Sequence, residues 1–188
     1  VSAEQAWLPP GTWPELQAPE PELRSGAVFM ESRTGESRYF LLRAVRDGDG
    51  VYVKYLGERR SLRDTWAELT EMLEHDQELV AHVGAGLESS VPSALERRVQ
   101  LVGRREMLAG TRFARAMIGE GRVHHCGSSV LGDHVARAVA MEMGGGYTIS
   151  AKASPGPVEL ARCVVWAVSA LGREEKRRER PAVVVARR

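Results

Sequence analysis

Only two cysteines, Cys126 and Cys163, occur among the 188 residues. Two thiols make neither a disulfide framework nor a zinc cage, so a reducing, cytoplasmic setting is the default expectation. No apolar run approaches the roughly 18 residues that a membrane span requires, and no signal peptide is evident, so no membrane partner is expected. The phosphate-loop pattern GxxxxGK[ST] does not occur. The nearest glycine-rich stretch, GAGLESS from Gly84 to Ser90, has no lysine. It reads as a tight strand-to-helix turn, or as a helix N-terminus able to receive an anion. Charge of one sign is also missing: 26 Lys and Arg oppose 25 Asp and Glu, for a net +1. Any surface for nucleic acid therefore has to be local.

What remains is an ordinary α/β composition, 43% hydrophobic and 27% charged, in a chain long enough to bury roughly 70% of its unfolded surface as one domain. The chain opens with Val1 rather than Met, which points to a processed chain or an excised domain. Residues 1–25 hold Pro9, Pro10, Pro14, Pro19 and Pro21, too many for helix or sheet. They read as an extended lead-in or linker pinned by Trp7 and Trp13. Residues 26–172 form the body. Residues 173–188 carry seven basic and three acidic side chains, either a solvated tail or an arm that contacts phosphates.

Within the body, strands are expected at Ala27–Glu31, Arg38–Val45 and Val51–Leu56, the last two joined by the Asp-Gly turn of RDGDG. Ser61 precedes a helix with a stripe of Leu62, Trp66, Leu69 and Leu73. A strand at Leu79–Val83, a short helix near Ser89 and a strand at Val99–Val102 follow. Helices are expected at Arg104–Ile118, Val130–Met143 and Val158–Leu171, with a short strand at Tyr147–Ser150. A three-strand meander followed by alternating helices and strands predicts an α/β fold: a mixed central sheet with helices on both faces, in the element order of ribonuclease H-like proteins.

RVHHCG, from Arg122 to Gly127, has two adjacent histidines. In a strand they point to opposite faces and do not share one ion. A structural or DNA-facing histidine is the better reading. Ser128 or Ser129 reads as a helix N-cap, because the nucleophile-elbow pattern Gly-x-Ser-x-Gly is absent. The carboxylates matter most in this fold. A ribonuclease H-like nuclease holds two divalent ions on acids from the first strand, the end of the fourth strand and a late helix. Glu31 ends the first strand and Glu159 opens the last helix. Near the end of the fourth strand stands His82, with Glu88 as the nearest carboxylate.

LVAHVGAGLESSVPSALERRVQLVGRREMLAGTRFARAMIGEGRVHHCGSSVLGDHVARAVA, from Leu79 to Ala140, resembles the C-terminal nuclease domain of tailed-phage terminase large subunits. ISAKASPGPVELARCVVWAVSALG looks like that family's last strand and helix, WLPPGTWPEL like its lead-in, and GAVFMESRTGESRYFLLRAV like its first two strands. The resemblance implies a Mg²⁺- or Mn²⁺-dependent endonuclease that cuts concatemeric viral DNA during genome packaging in the host cytoplasm. Glu31, Glu159 and Glu88 would be its catalytic acids, with Glu31 and Glu159 on metal. Lys152, Arg122 and His125 would meet DNA. Its partners would be double-stranded DNA, the terminase ATPase domain, the small terminase subunit and the portal. Glu31 stands where the family usually has Asp, and His82 where its second acid is expected. The alternative implied is a degenerate module that binds DNA or packaging partners without cutting.

Overall fold

The computed structural model describes residues 5–33 and 35–178. β1 (Ala27–Ser32), β2 (Tyr39–Asp47) and β3 (Gly50–Arg59) form the expected meander. Gly48, at φ +59°, takes the left-handed corner of the β2–β3 turn. α1 (Leu62–His75) starts where the Ser61 hydroxyl accepts from the Asp64 N–H. β4 (Val80–Gly84) and β5 (Val99–Val102) follow, separated by 3-10 turns, and then come α2 (Arg104–Gly119), β6 (Val123–His125) and α3 (Ser129–Ala136). β7 (Ala140–Met143), β8 (Gly146–Ile149) and α4 (Glu159–Arg178) complete the order of elements.

The main sheet runs β5-β4-β1-β2-β3-β6. β2 is antiparallel to both its neighbours, and the other pairings are parallel. The C-terminal ends of β1, β4, β5, β3 and β6 therefore share one edge of the sheet. Alternation along β1 splits the core. Val28 and Met30 pack against Trp66, Leu69 and Leu73 of α1. Ala27 and Phe29 face a larger core built from α2, α3 and α4. A mixed sheet covered on both faces is thus the observed architecture.

The proline-rich lead-in is part of that larger core. Trp7 and Trp13 are buried in it, the Trp7 backbone N–H donates to the Ala138 carbonyl, and Gln17 bridges to His125 at the β6 edge. The helix expected over Val130–Met143 ends at Ala136. Past it, Val139 N–H donates to the Ser154 hydroxyl and Ala140 N–H to the Gln5 carbonyl, which takes these amides out of a helix. Gly144 and Gly145 then turn at φ +58° and +82°, so Ala140–Met143 becomes the first arm of a hairpin. Most of the expected basic tail lies outside the described residues.

Candidate functional site

Glu31 is the fifth residue of β1 and shares the face of Ala27 and Phe29, toward α4. It is only 8% exposed. Gly84, the last residue of β4, lies directly beside it. A Cβ on Gly84 would fall 2.9 Å from the Glu31 Cδ and closer still to Oε1. The carboxylate therefore rests against bare backbone where the neighbouring strand could have offered a side chain. Oε1 accepts from the Ser32 N–H at 3.0 Å, and Oε2 from the Arg162 Nε–H at 3.3 Å. Burial pushes the Glu31 carboxyl above the usual range. The Arg162 guanidinium opposes that shift, and the nearby charge of Glu159 adds to it.

Arg162 lies on α4 three residues after Glu159, hence on the same side of the helix. Its guanidinium also stands over the Trp166 ring, 5.3 Å from the centroid. Glu159 opens α4 and is buried, with Oε2 lacking a hydrogen-bond partner. That oxygen is 4.0 Å from His134 Nδ1. Nδ1 already accepts from the Leu160 N–H at 3.1 Å, so it carries no proton for Glu159. Burial, with Arg137 and Arg38 nearby, lowers the His134 pKa to about 4. The imidazole is neutral at pH 7, and the His134–Glu159 approach is not an ion pair.

Do these residues fit two divalent ions? Among the described residues, no group of three or more His, Cys, Asp or Glu side chains is placed to hold a metal. Two carboxylates converge, a glycine takes the β4 position beside them, and one carboxylate oxygen is engaged by a guanidinium. This donor set does not fit a two-metal centre. The orphaned Glu159 oxygen is the one feature that would welcome a cation.

The other sequence candidates lie elsewhere. Glu88 is exposed on the 3-10 turn after β4, in a shallow cleft with Val91, Glu96, Val99 and Leu101. His82 is not the lateral neighbour of Glu31. It pairs with Phe29, two residues earlier on the same face, and stacks on that ring at 4.6 Å. His125 is corrected from a DNA contact to a core residue. Its ring stacks on Trp13 at 4.4 Å, Nε2 meets the Trp13 carbonyl, and Nδ1 accepts from Gly127 N–H. Arg122 sits at the opposite end of the sheet from Glu31, held by the Asp49 carbonyl and by Asp49 and Glu120 carboxylates. Lys152 is exposed on the turn leading into α4.

No family model and no curated protein matches the chain. Solved structures do. The HK97 bacteriophage large terminase superposes with a TM-score of 0.69 at 13% identity, over 88% of this chain and 43% of that one. The large terminase nuclease of thermophilic phage G20c gives 0.60 at 10% identity, over 83% and 92%. The same G20c nuclease with bound magnesium gives 0.61 at 11% identity, over 90% and 99%. The fold is that of the large-terminase nucleases, ribonuclease H-like. The chain spans less than half the length of the HK97 protein.

Two residues that define the site are not evident in the sequence alone. Gly84 carries no chemical group to notice, and only strand pairing reveals it as the neighbour of Glu31. Arg162 leaves a fainter signal that could have been read, since Glu159 and Arg162 are i and i+3 on one helix.

Proposed function

We propose that this chain is the nuclease-fold module of a phage DNA-packaging terminase, and that it engages duplex DNA and packaging partners without cutting. The observation that carries this reading is the Arg162–Glu31 pair beside Gly84. Cleavage by two ions needs a cluster of hard anionic ligands. Here Glu31 and Glu159 supply two negative charges and Arg162 removes one, which leaves little to balance two divalent cations. The module would work with the ATPase half of a terminase, its small subunit and the portal, as the fold resemblance implies.

A second reading is favoured by the unpartnered Glu159 oxygen. In it, Glu31 and Glu159 hold one Mg²⁺ or Mn²⁺ and the domain is a metal-dependent endonuclease. That the G20c nuclease was solved with magnesium and with cobalt supports divalent ions in proteins of this fold.

One experiment separates the two. Supercoiled plasmid is incubated with the protein in Mg²⁺ or Mn²⁺, and Mn²⁺ binding is followed by calorimetry. The expected result is intact plasmid and no stoichiometric binding heat. Nicking that disappears in Glu31→Ala would overturn the non-cutting reading and establish the second.

A further inference from the structure

We infer that the exposed face of α2 is a phosphate-binding track for duplex DNA. This inference deepens the packaging-module reading and rests on it. α2 buries Met107, Gly110, Thr111, Ala114, Met117 and Ile118. Its opposite side carries Arg104, Arg105, Arg112 and Arg115, all exposed. At 3.6 residues per turn, these four fall within roughly 100° of the helix circumference. They extend over about 16 Å of axis at 1.5 Å per residue.

With a net charge of only +1 over the whole chain, this positive charge is local. The one acid in the helix, Glu106, is occupied at its start, accepting from the Gly103 N–H at 2.9 Å. Among the described residues, no ion pair engages Arg104, Arg105 or Arg115. Arg112 is braced over the Tyr147 ring, 4.8 Å from the centroid, which leaves its N–H edges free for acceptors. Arg115 separates two adjoining clefts, one shared with Trp7, Arg112 and Tyr147 and the other with Pro10, Gly11 and Glu15. Arg173 of α4 extends the charge, donating to the Ala109 carbonyl and standing over Phe113.

The placement also has direction. α2 begins at the sheet edge that carries Glu31: a Cβ on Gly103 would lie 3.3 Å from that of Ala85, which follows Gly84. The arginines lead away from the carboxylates along the neighbouring face. One strand of duplex DNA carries a phosphate every 3.4 Å of axis, so about five phosphates lie along a track of this length. Guanidinium groups pair bidentately with phosphate oxygens, and their spacing along one helix face matches a repeating polyanion.

The test is anisotropy titration of a duplex of about 30 base pairs and mixed sequence over a series of salt concentrations. It compares the 188-residue chain with R104Q/R105Q, R112Q/R115Q and the quadruple variant. Glutamine keeps helix propensity, and melting curves check that each variant folds. The salt slope of log K should fall by about 0.9 for each phosphate no longer neutralised, so by about 2 per pair and up to about 3.6 in the quadruple variant. If the wild type binds and the variants keep its slope and affinity, the track is wrong while the DNA-binding reading survives. If the wild type does not bind duplex at all, the reading and the track fall together.

Discussion

Replacing Gly84 with Asp should convert the closed carboxylate centre into one that requires a cation. Gly84 has φ −55° and ψ 134°, angles open to any L-residue, so backbone strain does not obscure the result. The new Cβ overlaps the present position of the Glu31 carboxylate. That side chain must swing aside, and it stays close. Two carboxylates about 4–5 Å apart at an effective dielectric near 20 repel by about 3–4 kcal/mol. Arg162 offsets part of this, because it already bonds to Glu31. In a domain of this size each kcal/mol moves the melting point by roughly 2–4 °C, so the metal-free variant should melt below the wild type by up to roughly 15 °C, less whatever Arg162 offsets.

Mn²⁺ should then restore stability to the variant alone. An ion present at about a hundred times its dissociation constant stabilises by about 2.7 kcal/mol, or roughly 5–10 °C of melting temperature. The assay is thermal unfolding of both proteins in chelator and in millimolar Mn²⁺. Recovery in Gly84→Asp alone is the expected outcome. An equal Mn²⁺ shift in the wild type would mean that Glu31 and Glu159 already bind a cation. No shift in the variant would mean that this corner lacks metal-binding geometry altogether.

Two other perturbations probe the same face of the sheet. Arg162→Met should destabilise by about 1–3 kcal/mol at pH 7; the figure is reduced from that of a fully buried pair because the Arg162 side chain is 26% exposed. The folded-state pKa of Glu31 is already raised by burial, and losing the guanidinium raises it further. Its stabilising protonation is fully present below the ordinary carboxylate pKa and is lost as pH rises through the folded value. Chemical denaturation should thus show the deficit shrinking toward pH 4, and a deficit independent of pH would refute the pairing argument. His82 titrates in the opposite sense. Burial lowers its pKa to about 4, so the stability it contributes is present above about pH 6.5 and is lost as pH falls toward 4. Its Nδ1 is buried without a partner. His82→Phe should be neutral or stabilising at pH 7 and should lower the stability-versus-pH slope near pH 5 by about 1.2 kcal/mol per pH unit. An unchanged slope would show that His82 is not buried neutral.

Why was so much of this legible in the sequence, and why did the rest stay hidden? The strands and α1 announce themselves through local physics. β1 and β2 are apolar runs, Gly48 marks a turn, and Ser61 caps a helix whose stripe reappears in the smaller core. The failures come where a tertiary partner outvotes a local pattern. Val130–Met143 has helical spacing, yet the amides after Ala136 find Ser154 and Gln5 instead. The proline-rich lead-in is not such a failure, because its two tryptophans, Trp7 and Trp13, are the anchors expected of them and lie in the larger core. His125 carries a reactive imidazole, and its neighbours turn it into a stacking partner and hydrogen-bond bracket.

Glu31, Gly84 and Arg162 carry the same point into function. Glu31 and Glu159 are legible because carboxylates advertise chemistry, and the element order puts one at the end of the first strand and the other at the start of the last helix. In the non-cutting reading, what decides their use is the bare backbone of Gly84 and the charge of Arg162. A glycine beside a strand-end carboxylate removes the obvious source of a third ligand, and an arginine one helical turn past Glu159 supplies the positive charge that a bound ion would otherwise bring. Either feature alone would fit poorly: Gly84 without Arg162 leaves Glu31 uncompensated, and Arg162 beside a complete acidic set would compete with metal. Together they would balance the buried Glu31 charge without a bound cation, which is what the non-cutting reading requires.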